Sequence, residues 1–231
     1  MTNPLKNNYL VRGAWCAVVA ASLGRCGGKP DVPSPEPTAP LPTAGIAAQQ
    51  VSLLPLGLLA AEDSLRWEGL LGERRAALAR ADSVIGTLLR ARAPEVNWVL
   101  PDELRRAARR APGVAPDPDQ MGTAILMRGA KLAIVPDPLR TELRTLAALA
   151  GSGGGRYALV PAGLVYRRAT GLPGEPARPA APRPRANAEL TVVMVDVRTG
   201  RIGFRTVARG EGDDPWSALT RAVKSLTPGL P

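Results

Sequence analysis

Proline sets the limits on what this chain can fold into. Residues 29–45, KPDVPSPEPTAPLPTAG, carry six prolines, and residues 169–187, ATGLPGEPARPAAPRPRAN, carry five more. A ring with fixed φ and no N–H cannot sit in a helix interior or an inner strand, so stretches this dense favour extended polyproline II. The chain is therefore expected to divide into a leader (1–26), a stand-off linker (27–46) and one folded domain (47–231). The second proline stretch becomes a long surface loop inside that domain. A length of 231 residues, less leader and linker, leaves roughly one domain.

Between the prolines the periodicities are readable. Residues 51–59, VSLLPLGLL, form a short apolar run that predicts a buried strand, which Pro55 must make either short or an edge. Residues 62–92 are rich in Ala, Leu and Arg, and Leu78, Ala81, Ile85, Leu88 and Leu89 recur at helical spacing. Pro94 ends that helix. VNWVL (96–100) reads as a brief strand and PDELRRAARRA (101–111) as a helix with Pro101 in its first turn. Asp117 or Asp119 is expected to cap a helix over QMGTAILMRG. PLRTELRTLAALA (138–150) predicts another helix, with Asp137 as N-cap and Leu139, Leu143, Leu146 and Leu149 as its stripe. GSGGG then stops it.

The last third alternates with period two. RYALVPAGLVYRR (156–168) is strand-like. AELTVVMVDVRTGRIGFRTVARG (188–210) predicts a β-hairpin turning at RTGR, where Gly200 can take positive φ. Asp214 and Pro215 then have the order of an N-cap and first helical residue, and Trp216, Leu219, Val223 and Leu226 share one face. The expected fold class is α/β, an α+β sandwich in which one mixed sheet with a C-terminal hairpin is covered by helices.

Composition removes several chemistries. Histidine is absent, which excludes His-based triads, His general bases and His metal ligands. The two cysteines, Cys16 and Cys26, lie in the leader, so the body has no disulfide and no thiolate site. No cofactor, metal or catalytic residue is expected. The formal charge is +10, almost all of it arginine. That charge suggests either solvated helix faces or a surface for nucleic acid or anionic lipid. No nucleic-acid motif is present and aromatics are only 3% of the chain, so nucleic acid is not the expected partner.

The leader has Lys6 and Arg12 ahead of GAWCAVVAASLG, an uncharged run of twelve residues. That is short of the roughly 20 needed to span a bilayer but suits a secretory signal. Leu23 and Gly24 precede Cys26 as in a bacterial lipobox, while Arg25 stands where a small residue is usual. Three readings stand: export with lipidation at Cys26, export with cleavage after Ala20 or Ala21, and an uncleaved or misplaced start. The first two place the domain in the periplasm or at the outer membrane.

The run VSLLPLGLL, the segment RYALVPAGLVY and the ending LTVVMVDVRTGRIGFRTVARGEGDDPWSALTRAVKSL together resemble a family of small bacterial envelope domains. It includes the TolB amino-terminal domain, the CsgG curli secretion protein and the LpoB-type lipoprotein activators. The resemblance is most specific at VDVRTGRI (195–202). It implies an envelope location, protein–protein contacts and no catalysis. Pro161 departs from the glycine usual in the family's Y-x-L-x-G strand, and the 169–187 loop is long.

Four groups remain as candidate site residues. Asp196 could meet a cation or a partner's donor, but an Asx-type turn at Thr199 and Gly200 is the favoured reading. Adjacent Asp213 and Asp214 favour a helix cap over an acid pair. GSGGGR lacks the Lys-Ser/Thr of a P-loop, and Ser152 has no base. Arg105, Arg106, Arg109 and Arg110 in RRAARR form a candidate basic contact. Two function classes result: a non-enzymatic exported envelope protein that binds envelope proteins, anchored to the membrane by lipid or leader, and a basic module for nucleic acid or anionic lipid.

Overall fold

The apolar run at 51–59 folds as a strand broken in the middle. In the computed structural model, which describes residues 45–128, 132–150, 154–169 and 185–226, strand β1 is Gln50–Leu53 and β2 is Leu59–Ala61. Both lie parallel to β4 (Tyr157–Arg168; β3 precedes it in the chain): Leu53 stands beside Leu159 and Leu59 beside Leu164. The first chain thus uses one residue more than the second, and the excess is looped out around Pro55 and Gly57. Leu54 N–H still donates to Leu159 O at 3.0 Å, and Leu164 N–H to Leu58 O at 2.8 Å. Pro55 is accommodated by the break, not by an edge, because β1 lies inside the sheet.

The remaining elements follow in order. A 3-10 turn (Asp63–Leu65), α1 (Glu68–Leu71) and α2 (Arg74–Arg92) lead to β3 (Asn97–Val99) and α3 (Pro101–Arg110). Then come α4 (Ile125–Arg128), α5 (Leu139–Leu149) and β4. Last are β5 (Ala186–Asp196), β6 (Ile202–Gly212) and α6 (Pro215–Lys224). The fold is α/β, with one mixed six-stranded sheet in the order β3-β1-β4-β5-β6 and β2 also beside β4. β3, β1, β2 and β4 are parallel, while β4, β5 and β6 are antiparallel. Cys26, the leader, the linker up to residue 44 and residues 170–184 of the proline-rich loop lie outside the described residues.

Helices cover both faces of the sheet. On one face, α2 and α6 pack against Leu159, Leu164, Leu190, Val192 and Met194. On the other, Leu104, Leu126, Leu139, Leu143 and Leu146 pack against Ala158, Val160, Val193 and Val195. Burial on both sides is why β4 and β5 read as nearly continuous apolar runs. β6 alternates instead, with Ala208, Gly210 and Gly212 buried and the residues between them exposed.

Three helix expectations need correction. The pattern over 62–92 is not one helix. Arg66 and Gly72 take positive φ, 51° and 70°, and Glu73 restarts the chain by accepting from Arg75 N and Ala76 N, both at 2.9 Å. Only Ile125–Arg128 of the 120–129 segment is helical, and neither Asp117 nor Asp119 caps it. Asp137 is not the N-cap of α5. Pro138 holds that position, and the Asp137 carboxylate meets Arg140 (2.8 Å) and Thr141 Oγ1 (3.0 Å). Ala147 and Ala150 are buried where Leu149 was expected.

Where helix and sheet meet closely, glycine is present. A Cβ on Gly163 would overlap the Met127 sulfur, but that is the end of a flexible side chain. Gly163→Ala is therefore expected to lower stability by only about 1 kcal/mol, since Met127 can repack. Urea unfolding would read the shift.

Candidate interaction site

The β5–β6 turn is built on Asp196. Its Oδ1 accepts from Arg198 N at 2.9 Å and Thr199 N at 3.2 Å, and its Oδ2 from Arg156 Nε at 2.9 Å. Gly200 has φ 74° and donates to Asp196 O at 2.7 Å, and a Cβ there would overlap the stem of Arg140. Burial alone would raise the Asp196 pKa, but Arg156 and the two backbone N–H groups outweigh it and hold the carboxyl below its ordinary value. Asp196→Ala should lower stability by about 1–2 kcal/mol near neutral pH. A depressed carboxylate stabilises above the unfolded-state pKa, so the gap between wild type and variant should close as pH falls below about 4. Denaturant midpoints measured at several pH values would show it.

Asp214 accepts from Trp216 N (2.9 Å) and Ser217 N (3.1 Å) at the start of α6. Asp213 is exposed and pairs with Arg185 at 3.1 Å. Trp67 and Trp98 are buried. Trp67 meets Tyr166 edge-on at 5.4 Å, and Trp98 Nε1 donates to Ala93 O.

The four arginines of α3 do not act together. Arg106, Arg109 and Arg110 are exposed. Arg105 turns inward and meets Asp82 (2.6 Å), Asp119 (2.7 Å) and Asp102 (2.9 Å). It is withdrawn from the basic face because Asp82 is only 5% exposed and needs a cation. The other Asp82 oxygen accepts from Leu56 N at 2.8 Å, an amide freed by the break between β1 and β2. Burial pushes the Asp82 carboxyl up to about 6, against the lowering pull of the Leu56 N–H and Arg105. Sequence reasoning missed this cluster. The available signal was a lone acid four residues after Leu78 and three before Ile85, on the apolar side of the helix.

Beyond the helices one sheet face lies open and carries charge in alternation. Glu62, Arg167, Glu189 and Arg209 form a row across four chain segments, linked at 3.9, 3.2 and 3.2 Å. Next to it Arg185 joins Glu211 and Asp213. At the far edge a shallow recess of about 440 Å³ is lined by Gln50, Arg90, Pro94, Val96, Asn97 and Trp98, among others.

β6 ends the sheet, and its outer edge is guarded at both ends. At the hairpin, Val135 N–H donates to Gly200 O (2.8 Å) and Ile202 N–H to Ala133 O (2.9 Å). At the other end the Arg209 carbonyl accepts from Ser225 Oγ at 2.6 Å, and the Glu211 carbonyl accepts from Arg221. Backbone groups of alternate residues point the same way in an antiparallel strand. Arg205 and Val207 therefore face outward with Arg209, and among the described residues nothing pairs with that stretch. The Arg205 Nε and both Nη atoms are shut from solvent without a hydrogen-bond partner.

Among the described residues no cluster of His, Cys, Asp and Glu is placed to hold a metal, and no helix is long and apolar enough to cross a membrane. The geometry defines a one-sheet α/β domain whose exposed features are a partly open sheet edge and a charged sheet face. No protein-family model and no curated relative matches the chain. Among solved structures it is similar to the LpoB C-terminal domain from Salmonella enterica, at 14% identity over 73% of this chain and 84% of that one, TM-score 0.33. It is also similar to E. coli LpoB (13% identity, 90% and 89% covered, TM-score 0.38). A third is a hypothetical protein from Chlamydia trachomatis (12%, 72% and 74%, TM-score 0.38). Because these TM-scores are all below 0.5, the chain's own residues have to carry the function.

Proposed function

We infer that this chain is a non-enzymatic exported envelope protein that works through protein–protein contacts of its α/β domain, anchored at the membrane where Cys26 is acylated or the leader is kept and free in the periplasm where the leader is cleaved. The observation that carries this is the order of parts. A basic start and a twelve-residue apolar run lead to Leu23-Gly24-Arg25-Cys26, then a proline-rich spacer, then a domain with a backbone edge and paired charges on its surface. Two acyl chains, at about 0.8 kcal/mol per buried methylene, would make a stable anchor. The spacer would hold the domain off the bilayer, within reach of periplasmic partners.

The test is intact-mass spectrometry of the mature amino terminus from the native host, wild type against Cys26→Ser. An acylated Cys26 supports the anchored form, and a terminus just beyond residue 20 supports a soluble exported form. An intact Met1 in a cytoplasmic pool would sink both. A second reading, a basic module, draws on Arg106, Arg109 and Arg110, exposed on α3. With three phosphate contacts its DNA affinity would fall with a log–log salt slope of about −3, and no binding at low salt would exclude it.

A further inference from the structure

We propose that the unguarded stretch of β6, residues 203–208, takes up an extended acidic segment of a partner protein as an added strand. This deepens the protein-contact reading and rests on it. Three observations converge. First, the outer edge is paired at Gly200 and Ile202 and capped at Arg209 and Glu211, which leaves the outward N–H and C=O groups of Arg205 and Val207 open between two guarded ends. A gap of that length fits a short strand, and main-chain bonding to it needs no particular side chain. The edge already accepts such pairing, since Ile134 bridges Arg201 in antiparallel fashion. Second, Arg205, Val207 and Arg209 succeed one another on the face opposite α6. Val207 is 41% exposed, which offers an apolar contact between two cations. Third, Arg209 is already paired with Glu189, but none of the Arg205 guanidinium donors is used. A guanidinium without hydrogen bonds and without water is unfavourable, and a carboxylate on an adjacent strand would satisfy it by drawing the Arg205 side chain out from under the atoms that cover it.

The same residues argue against other occupants. Two copies pairing antiparallel about Val207 would set Arg205 opposite Arg209 of the other chain, a like-charge contact that disfavours self-pairing. The proline-rich stretches of this chain lack the N–H groups an added strand must donate. The partner segment is therefore expected to be extended, free of proline and rich in Glu or Asp at alternate positions.

The test uses the full chain and a blocked seven-residue peptide alternating glutamate and valine, with amide hydrogen exchange as the readout. The expected result is exchange slowed at least tenfold at the Arg205 and Val207 amides. No such slowing is expected from a lysine–valine peptide, or from a glutamate–valine peptide N-methylated on alternate residues so that it cannot pair. Arg205→Glu should weaken the glutamate peptide at least tenfold relative to Arg205→Met, which removes the same covered guanidinium without adding a negative charge. Equal slowing by the methylated or lysine peptide, or none by the glutamate peptide, overturns the proposal. Protection that appears without peptide and grows with protein concentration would assign the edge to a second copy and also overturn it. None of these outcomes bears on export, which the mature amino terminus reports separately.

Discussion

Arg105→Met is expected to lower stability by about 3–5 kcal/mol near neutral pH, a large effect for one surface-proximal arginine. The methionine keeps the apolar stem but removes the cation from beside Asp82, which is buried and cannot find water in its place. Removing one partner of a buried pair leaves an uncompensated charge, and the penalty is that of the orphan, not of the lost attraction. The pH dependence identifies the cause. The folded Asp82 carboxyl is raised to about 6, above the unfolded value near 4, so the folded state holds the proton more tightly. The contribution of Asp82 to stability is thus greatest below about pH 4 and declines as pH rises through 6. Without Arg105 its pKa rises further, so the difference between variant and wild type should be largest above pH 6 and shrink on acidification. Urea midpoints at pH 7.5, 6 and 4.5 would test this, and a difference independent of pH would mean the loss is packing alone.

Gly210→Val should be nearly as damaging, by about 3 kcal/mol, for a steric reason. A Cβ at 210 would overlap the backbone of Ala222 and stand 2.5 Å from Ala218 O and 2.6 Å from Arg221 C. These are helix backbone atoms and have no rotamer to change. α6 cannot move aside either, because β6 leads into it through only Asp213 and Asp214, and Tyr166 OH is bonded to Pro215 O at 3.0 Å. The contrast with Gly163→Ala is the check: both glycines face a close neighbour, but only one neighbour can yield. Tryptophan fluorescence would follow the helix, since Trp216 lies under the Arg80 guanidinium, 4.3 Å from its ring. If Gly210→Val melted no lower than Gly163→Ala, the close approach of α6 would be wrong.

The carboxy-terminal third was legible because its signals are local. Period-two alternation, a glycine at the turn and Asp-Pro before an apolar stripe each act within a few residues, and the hairpin and α6 follow from them. The break at Pro55 was half legible: proline said that the strand must stop, but not that it would resume five residues later beside the same neighbour. The run at 62–92 misled because the strong Ala, Leu and Arg periodicity after Glu73 was carried back over 62–73, EDSLRWEGLLGE, where Arg66 and Gly72 take positive φ. Asp82 with Arg105, and the Ser225 and Arg221 guards on β6, were not legible. Each joins residues that only the tertiary fold brings together.

The broken strand has a mechanical meaning. Asp82 belongs to a helix on one face of the sheet, and Arg105 to a helix whose Leu104 packs into the other. Asp82 accepts from the looped-out backbone at Leu56 and, through its other oxygen, from Arg105. A continuous strand would leave the two apolar layers to open separately, each as its own unit. The interruption instead lets one ionic rivet fasten both, so the layers should melt together in a single transition. Cutting the rivet would be the way to see them come apart in turn.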